Sequence, residues 1–210
     1  AVALDALTTG DYNTAVGGAA LGQATDGDYN TAFGYAAGAA ITTGVQNVLI
    51  GGESGDALTD ADFNVGIGTS ALGSDTKGNR NVAIGHGSLV TQNFTSSTSV
   101  YNTAVGYNAG NAVTTGVSNT FVGGLAGDGT DDGALNVAVG ASALSANCAN
   151  SNTAVGVTAL VVTTGANNTA LGYQAGASVT SGSNNLFVGK DAGLTGSPGG
   201  AITTGSNEIV

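Results

Sequence analysis

An asparagine opens the same short phrase twelve times along the chain, in outline Asn-Thr/Val-x-aliphatic and mostly followed by Gly. The asparagines are Asn13, Asn30, Asn47, Asn64, Asn81, Asn102, Asn119, Asn136, Asn152, Asn168, Asn185 and Asn207. The steps between them are 17, 17, 17, 17, 21, 17, 17, 16, 16, 17 and 22 residues. A unit this short cannot bury an apolar face alone, so it must stack on its neighbours, which is the condition for a solenoid. The chain is therefore expected to be all-β, a parallel β-solenoid (β-roll) of about 12 coils with a period near 17 residues.

With the asparagine as position 0, position +3 is a large apolar residue in every copy, from Val16 and Phe33 to Val188 and Val210. Position +1 is mostly Thr or Val and position +2 mostly Ala. These three residues read as a short strand with +1 and +3 on one face and +2 on the other. Both faces are apolar, so both are expected to be covered. Position +4 is Gly in all eleven complete copies, which asks for a corner at positive φ or a close backbone approach. Position +7 is always Ala or Ser and position +8 always Leu or Gly, so a second leg also turns a regular face inward. Thr-Thr-Gly segments such as Thr42-Thr43-Gly44 close the coil as turns. Stacking brings the asparagines into register about 4.8 Å apart, as a hydrogen-bonded ladder at the corner.

A longer period lies above the coil. Position +8 reads Leu21, Gly38, Gly55, Leu72, Leu89, Gly110, Gly127, Leu144, Leu160, Gly176 and Gly193. Leucines and glycines thus alternate in pairs, and the larger unit is four coils, starting near residues 30, 102 and 168. Residues 1–210 read as one solenoid domain, a segment of a longer fibre. The two long steps place insertions near residues 92–100 and 193–201, expected to be loops that leave the coil.

The core such a coil encloses is thin. Few large side chains at about 25 cal/mol per Å² offset little of a backbone entropy cost near 1–2 kcal/mol per residue. Association of several chains relieves this, and the +2 row or the +7/+8 row is expected to line the intersubunit core.

The phrase Asn-Thr-Ala-Val-Gly-x-x-Ala-Leu/Gly resembles the head repeats of trimeric autotransporter adhesins. The segment Asn168–Gly176, Asn-Thr-Ala-Leu-Gly-Tyr-Gln-Ala-Gly, is similar to repeats in the shafts of long bacteriophage tail fibres. The resemblance covers essentially the whole chain. It implies a left-handed parallel β-roll, a homotrimer, and a role in attachment at a virion tail or a cell surface, with a cell-surface glycan or protein as receptor.

Formal charge is −11, from 14 acids against Lys77, Arg80 and Lys190. That disfavours nucleic acid as a partner, and no apolar run approaches membrane-spanning length. One His and one Cys assemble no Ser/His/Asp or Cys/His set, so the chain is not expected to be an enzyme, and no cofactor is implied apart from a candidate calcium. Asp56, Asp60 and Asp62 precede Asn64, and Asp128, Asp131 and Asp132 precede Asn136 one four-coil unit later. Oxygen-rich loops of this kind bind Ca²⁺, although neither an EF-hand pattern nor a Gly-Gly-x-Gly-x-Asp repeat occurs, and solvated turns explain the acids equally. Six tyrosines fall in two rows, Tyr12, Tyr29 and Tyr101 at −1 and Tyr35, Tyr107 and Tyr173 at +5. The +5 tyrosines are candidate glycan contacts, against the simpler reading of packing on turn glycines. The expected function is the structural shaft or head of a homotrimeric attachment fibre. Alternatives are an ice-binding solenoid, which needs a regular Thr array, and a self-polymerising extracellular filament.

Overall fold

The computed structural model describes residues 2–194 and 201–210. The chain is an all-β parallel solenoid with a period near 17 residues, and no helix occurs among the described residues. It divides into two compact units, Ala1–Tyr107 and Asn108–Val210. In the first unit the main ladder runs through β1 (Thr14–Val16), β2 (Thr31–Phe33), β3 (Val48–Ile50), β4 (Val65–Ile67), β6 (Val82–Ile84) and β8 (Thr103–Val105). A side pair joins β5 (Gly78–Asn79) to β7 (Thr98–Ser99). The second unit stacks β9 (Thr120–Val122), β10 (Val137–Val139), β11 (Thr153–Val155), β12 (Thr169–Leu171) and β13 (Leu186–Val188). Pairing keeps the phrase in register: Thr31 lies beside Val48, Ala32 beside Leu49 and Phe33 beside Ile50.

The asparagine row explains why the phrase begins as it does. Asn64 is fully buried. Its Oδ1 accepts the backbone N–H of Asn81 at 2.9 Å and the Asn81 side-chain amide at 3.2 Å. Its Nδ2 donates to the Gly78 carbonyl at 2.9 Å and to Asn47 Oδ1 at 3.2 Å. One amide thus serves a strand-start N–H and a turn carbonyl of the following coil, groups that would otherwise be buried unpaired. The backbone link repeats from Asn13 to Asn30, Asn47, Asn64, Asn81 and Asn102 in the first unit. In the second it runs from Asn119 to Asn136, Asn152, Asn168 and Asn185. Asn207 is not the next rung: Glu208 donates its backbone N–H to Asn185 Oδ1 at 2.9 Å. Asn207 instead takes the corner position before the strand, with φ of 63°, and Ile209 rather than Glu208 bridges to Leu186. The final phrase is shifted by one residue because the backbone pairing, not the amide's identity, sets its phase.

Each coil turns at left-handed corners. The residue at −1 has positive φ whatever its type: Tyr29 56°, Gln46 57°, Phe63 60°, Arg80 62°. That conformation costs a non-Gly residue about 1–2 kcal/mol. A hydrogen bond from the −1 N–H to the preceding coil offsets it, as in Arg80 to the Asp62 carbonyl at 3.0 Å. The +4 glycine has no such freedom of type. A Cβ on Gly51, at φ 132°, would sit 2.6 Å from the Gly68 carbonyl of the next coil.

The core lies within the single chain. The +2 row is buried from Ala32 to Phe187, as are the +7 row and the +8 leucines. These rows therefore cannot line an intersubunit core, because each chain's own second and third legs already cover them. The third leg supplies a row at +11 that contains Ile41, Leu58, Val113 and Val179, all fully buried. These aliphatics occur where +8 is Gly, whereas Ala24, Asp75, Gln92 and Thr163 occupy +11 where +8 is Leu. Thr130 is the exception, buried at +11 after Gly127, and there the +2 ring of Phe121 takes the space, 2.5 Å from where a Gly127 Cβ would be. The four-coil period is thus a volume rule shared among +2, +8 and +11. At Gly55 a Cβ would lie 2.7 Å from Leu49 Cδ2 and 2.8 Å from Leu58 Cδ1, so the +2 and +11 side chains fill the space that Leu72 fills from +8 one coil later.

The first insertion does not simply leave the coil. Thr98–Ser99 pairs with Gly78–Asn79 of the coil before it. Fully buried Asp75 holds the insertion's start, accepting from Gln92 Nε2 at 2.5 Å and from the Phe94 N–H at 3.0 Å. Gln92 Oε1 in turn accepts from Asn102 Nδ2 at 2.8 Å. Within residues 93–97, Asn93, Thr95, Ser96 and Ser97 are exposed, while Phe94 is half-buried and its carbonyl accepts from Thr76 Oγ1 at 2.8 Å. Of the second insertion, residues 195–200 lie outside the described residues.

Candidate functional site: the strand face and its corners

The strand places +2 inward, so +1 and +3 face outward, and this face is not covered within the chain. Val16, Phe33 and Ile50 in the first unit keep between 37% and 58% of their surface exposed, as do Val122, Val139, Leu171 and Val188 in the second. Within one chain only the +2 face of the strand is covered, and the +1/+3 face is left to whatever packs on it from outside. The coil has only three short legs, and these close on the +2 side alone.

Charge avoids this face. Across positions +1 to +5 of the eleven complete copies the only charged residue is Lys190. The acids sit instead on the flanks and back, for example Asp11, Asp28 and Asp62 at −2 and Glu53 at +6. An aliphatic row interrupted by no acid in a chain of net charge −11 is the departure from ordinary surfaces that marks an interaction face.

The +5 tyrosines border it. Tyr35, Tyr107 and Tyr173 are all exposed. His86 stacks on Tyr107 with ring centroids 5.5 Å apart, and Lys190 Nζ lies 5.9 Å from the Tyr173 ring. The +5 side chains of adjacent coils thus pack along the stack rather than into the core. On the opposite corner Tyr12 stacks on Tyr29 at 4.8 Å. Farther along that −1 row, Arg80 lies between Phe63 and Tyr101. Sequence reading listed the tyrosines and passed over Arg80. The signal was present, since Phe63, Arg80 and Tyr101 are consecutive −1 residues.

The acids do not converge. Asp60 pairs with Lys77 at 3.4 Å and Asp62 accepts the Val45 N–H at 2.9 Å. Asp131 accepts from Thr114 Oγ1, Asp132 is exposed, and the buried Oδ1 of Asp128 has no hydrogen-bond partner among the described residues. Burial pushes the Asp56 carboxyl above its ordinary value, and nearby Glu53 adds to the effect. Among the described residues no three His, Cys, Asp or Glu side chains are arranged to hold a metal ion. Cys148 is buried beside Thr130 Oγ1 at 3.3 Å, and burial raises its thiol pKa. The threonines of the turns form a ladder of their own: Thr25, Thr42 and Thr59 each donate a hydroxyl to the carbonyl of the threonine one coil on.

No protein-family model, curated protein or solved structure matches this chain.

Proposed function

We propose that the chain is a shaft segment of a homo-oligomeric attachment fibre whose copies pack through their strand faces. The observation that carries this reading is the uncharged +1/+3 face. Covering its seven exposed +3 side chains, at about 1.5–3 kcal/mol per fully exposed side chain, is worth roughly 5–10 kcal/mol per chain. That is comparable with the roughly 4–15 kcal/mol lost in association, so the +5 tyrosines must share the interface. In the first unit the −1 corner is less suited to burial because Asp11, Asp28 and Asp62 lie beside it at −2. A homotrimer is the assembly that the repeat's resemblance to fibre shafts and adhesin heads implies, and a virion tail or cell surface is the corresponding location.

The ice-binding reading draws less support. Val48, Val65, Val82 and Val137 interrupt the +1 threonines, and the turn threonines spend their hydroxyl protons on backbone carbonyls. Electron micrographs of the purified chain test the proposal. Rods of one length are the expected result. Filaments of indefinite length support self-polymerisation instead, and thermal hysteresis in solution supports ice binding.

A further inference from the structure

We infer that Arg80 and the insertion beside it form a binding site for a carboxylate-bearing saccharide. The inference deepens the attachment reading, on which it rests for its biological sense, by naming the chemistry of a receptor.

Arg80 is the chain's only arginine. Lys77 and Lys190 each pair with an aspartate, at 3.4 Å and 3.6 Å. Arg80 is exposed and has no carboxylate partner among the described residues, in a chain with 14 acids. Its guanidinium is nevertheless held in place. Cζ lies 5.0 Å from the Phe63 ring centroid and 5.9 Å from that of Tyr101, and Nη1 donates to Ser99 Oγ at 2.7 Å. Aromatic rings on either side and one fixed N–H leave the other in-plane donors free, which is the fork that matches a carboxylate.

The neighbourhood is built. The pairing of β5 with β7 fixes Ser99, the Asn79 side-chain amide donates to Ser97 Oγ at 3.0 Å, and Thr76 Oγ1 donates to Asn93 Oδ1 at 3.2 Å. The insertion therefore exposes Asn93, Thr95, Ser96 and Ser97 on the segment that leads into Ser99, the residue that holds the guanidinium. Hydroxyls and amides beside half-exposed aromatic rings suit a sugar. A single guanidinium in an acidic chain suits one carboxylate better than a doubly charged phosphate, which ordinarily draws several cations or a nest of N–H groups. Nearby acids are already engaged, Asp60 by Lys77 and Asp62 by the Val45 N–H.

Titration calorimetry on the whole chain tests this with a sialylated oligosaccharide and an oligouronate, their carboxyl-reduced neutral counterparts, and inorganic phosphate. Saturable binding of at least one carboxylated probe, with none of its neutral counterpart or of phosphate, is expected. Arg80→Gln should weaken it at least about tenfold, and Arg80→Lys, which keeps the charge but not the fork, should also weaken it severalfold. Ser99→Ala, which frees the guanidinium without removing it, should cost less than Arg80→Gln. The inference is overturned if neither carboxylated probe binds below about 10 mM, if the neutral probes or phosphate bind as well, or if Arg80→Gln binds like wild type. Sedimentation of the same samples separates the two readings. A chain that assembles but binds no saccharide sinks only this inference, and a monomer that binds it sinks only the shaft.

Discussion

Replacing Asn64 by Ala removes the middle rung of the first unit's ladder. The structure specifies what is left behind. The Asn81 N–H and the Gly78 carbonyl, bonded to Asn64 at 2.9 Å each, lose their side-chain partners inside a fully buried site, and the Asn81 amide loses a weaker contact at 3.2 Å. An orphaned buried group costs about 1–3 kcal/mol, so Asn64→Ala should destabilise the chain by roughly 2–6 kcal/mol. Asn13 makes the equivalent contacts, at 2.9 Å to the Asn30 N–H and 2.6 Å to the Gly27 carbonyl, but is only half-buried. Water can replace its amide, and Asn13→Ala should cost about 1 kcal/mol or less. Urea denaturation followed by circular dichroism at one fixed chain concentration measures both, since association adds to apparent stability. Hydrogen exchange at the Asn81 amide reads the local effect, which a repeat protein need not spread over its length. A cost for Asn64→Ala within about 0.5 kcal/mol of zero, or equal costs at the two sites, would refute the reasoning.

The volume rule predicts compensation. Leu49→Ala alone should cost about 2–5 kcal/mol and Gly55→Leu alone about 1–3 kcal/mol from overpacking. The double variant should be more stable than their sum by roughly 0.5–3 kcal/mol, since Leu21, Leu72 and Leu89 adopt the same positive φ at that row. Cys148 should react with a disulfide reagent only as fast as the chain unfolds, because burial both hides the thiol and holds it protonated; rapid labelling of the folded chain contradicts this. Asp56 binds its proton more tightly folded than unfolded, so its contribution to stability falls as pH rises from its unfolded value of 3.8 through the raised folded value. Asp56→Asn should flatten that fall in urea midpoints taken between pH 4 and pH 7, and an unchanged pH profile would count against it.

The strand, the buried amide and the +4 glycine were legible in the sequence because each is demanded once per coil by backbone geometry. The +11 row was not, since its residues range from Ile41 to Asp75 and only a volume argument links them to +8. The −1 corners were hidden for another reason. Tyr29, Gln46, Phe63 and Arg80 share no preference for positive φ, and the coil imposes it through a hydrogen bond to the preceding turn. Nothing in the sequence distinguishes Asp75 from the exposed acids, yet it is buried and bonded to Gln92 and two backbone amides. The twelfth asparagine misled because residue identity was followed where pairing decides. The candidate sites followed the same division: the apolar +3 row was visible, but which face it occupies, and the clamp around Arg80, required the legs of the coil to be placed.

Sedimentation equilibrium at micromolar concentration tests the central claim most directly, by comparing wild type with Phe33→Lys/Leu171→Lys on the strand face. Thr43→Lys/Thr115→Lys, at exposed positions of the turns, serves as the charge-matched control. A discrete oligomer, three chains by the fibre reading, is predicted for wild type and the control, and a folded monomer for the strand-face variant. A monomeric wild type, or an assembly indifferent to lysines on the strand face, would contradict the account.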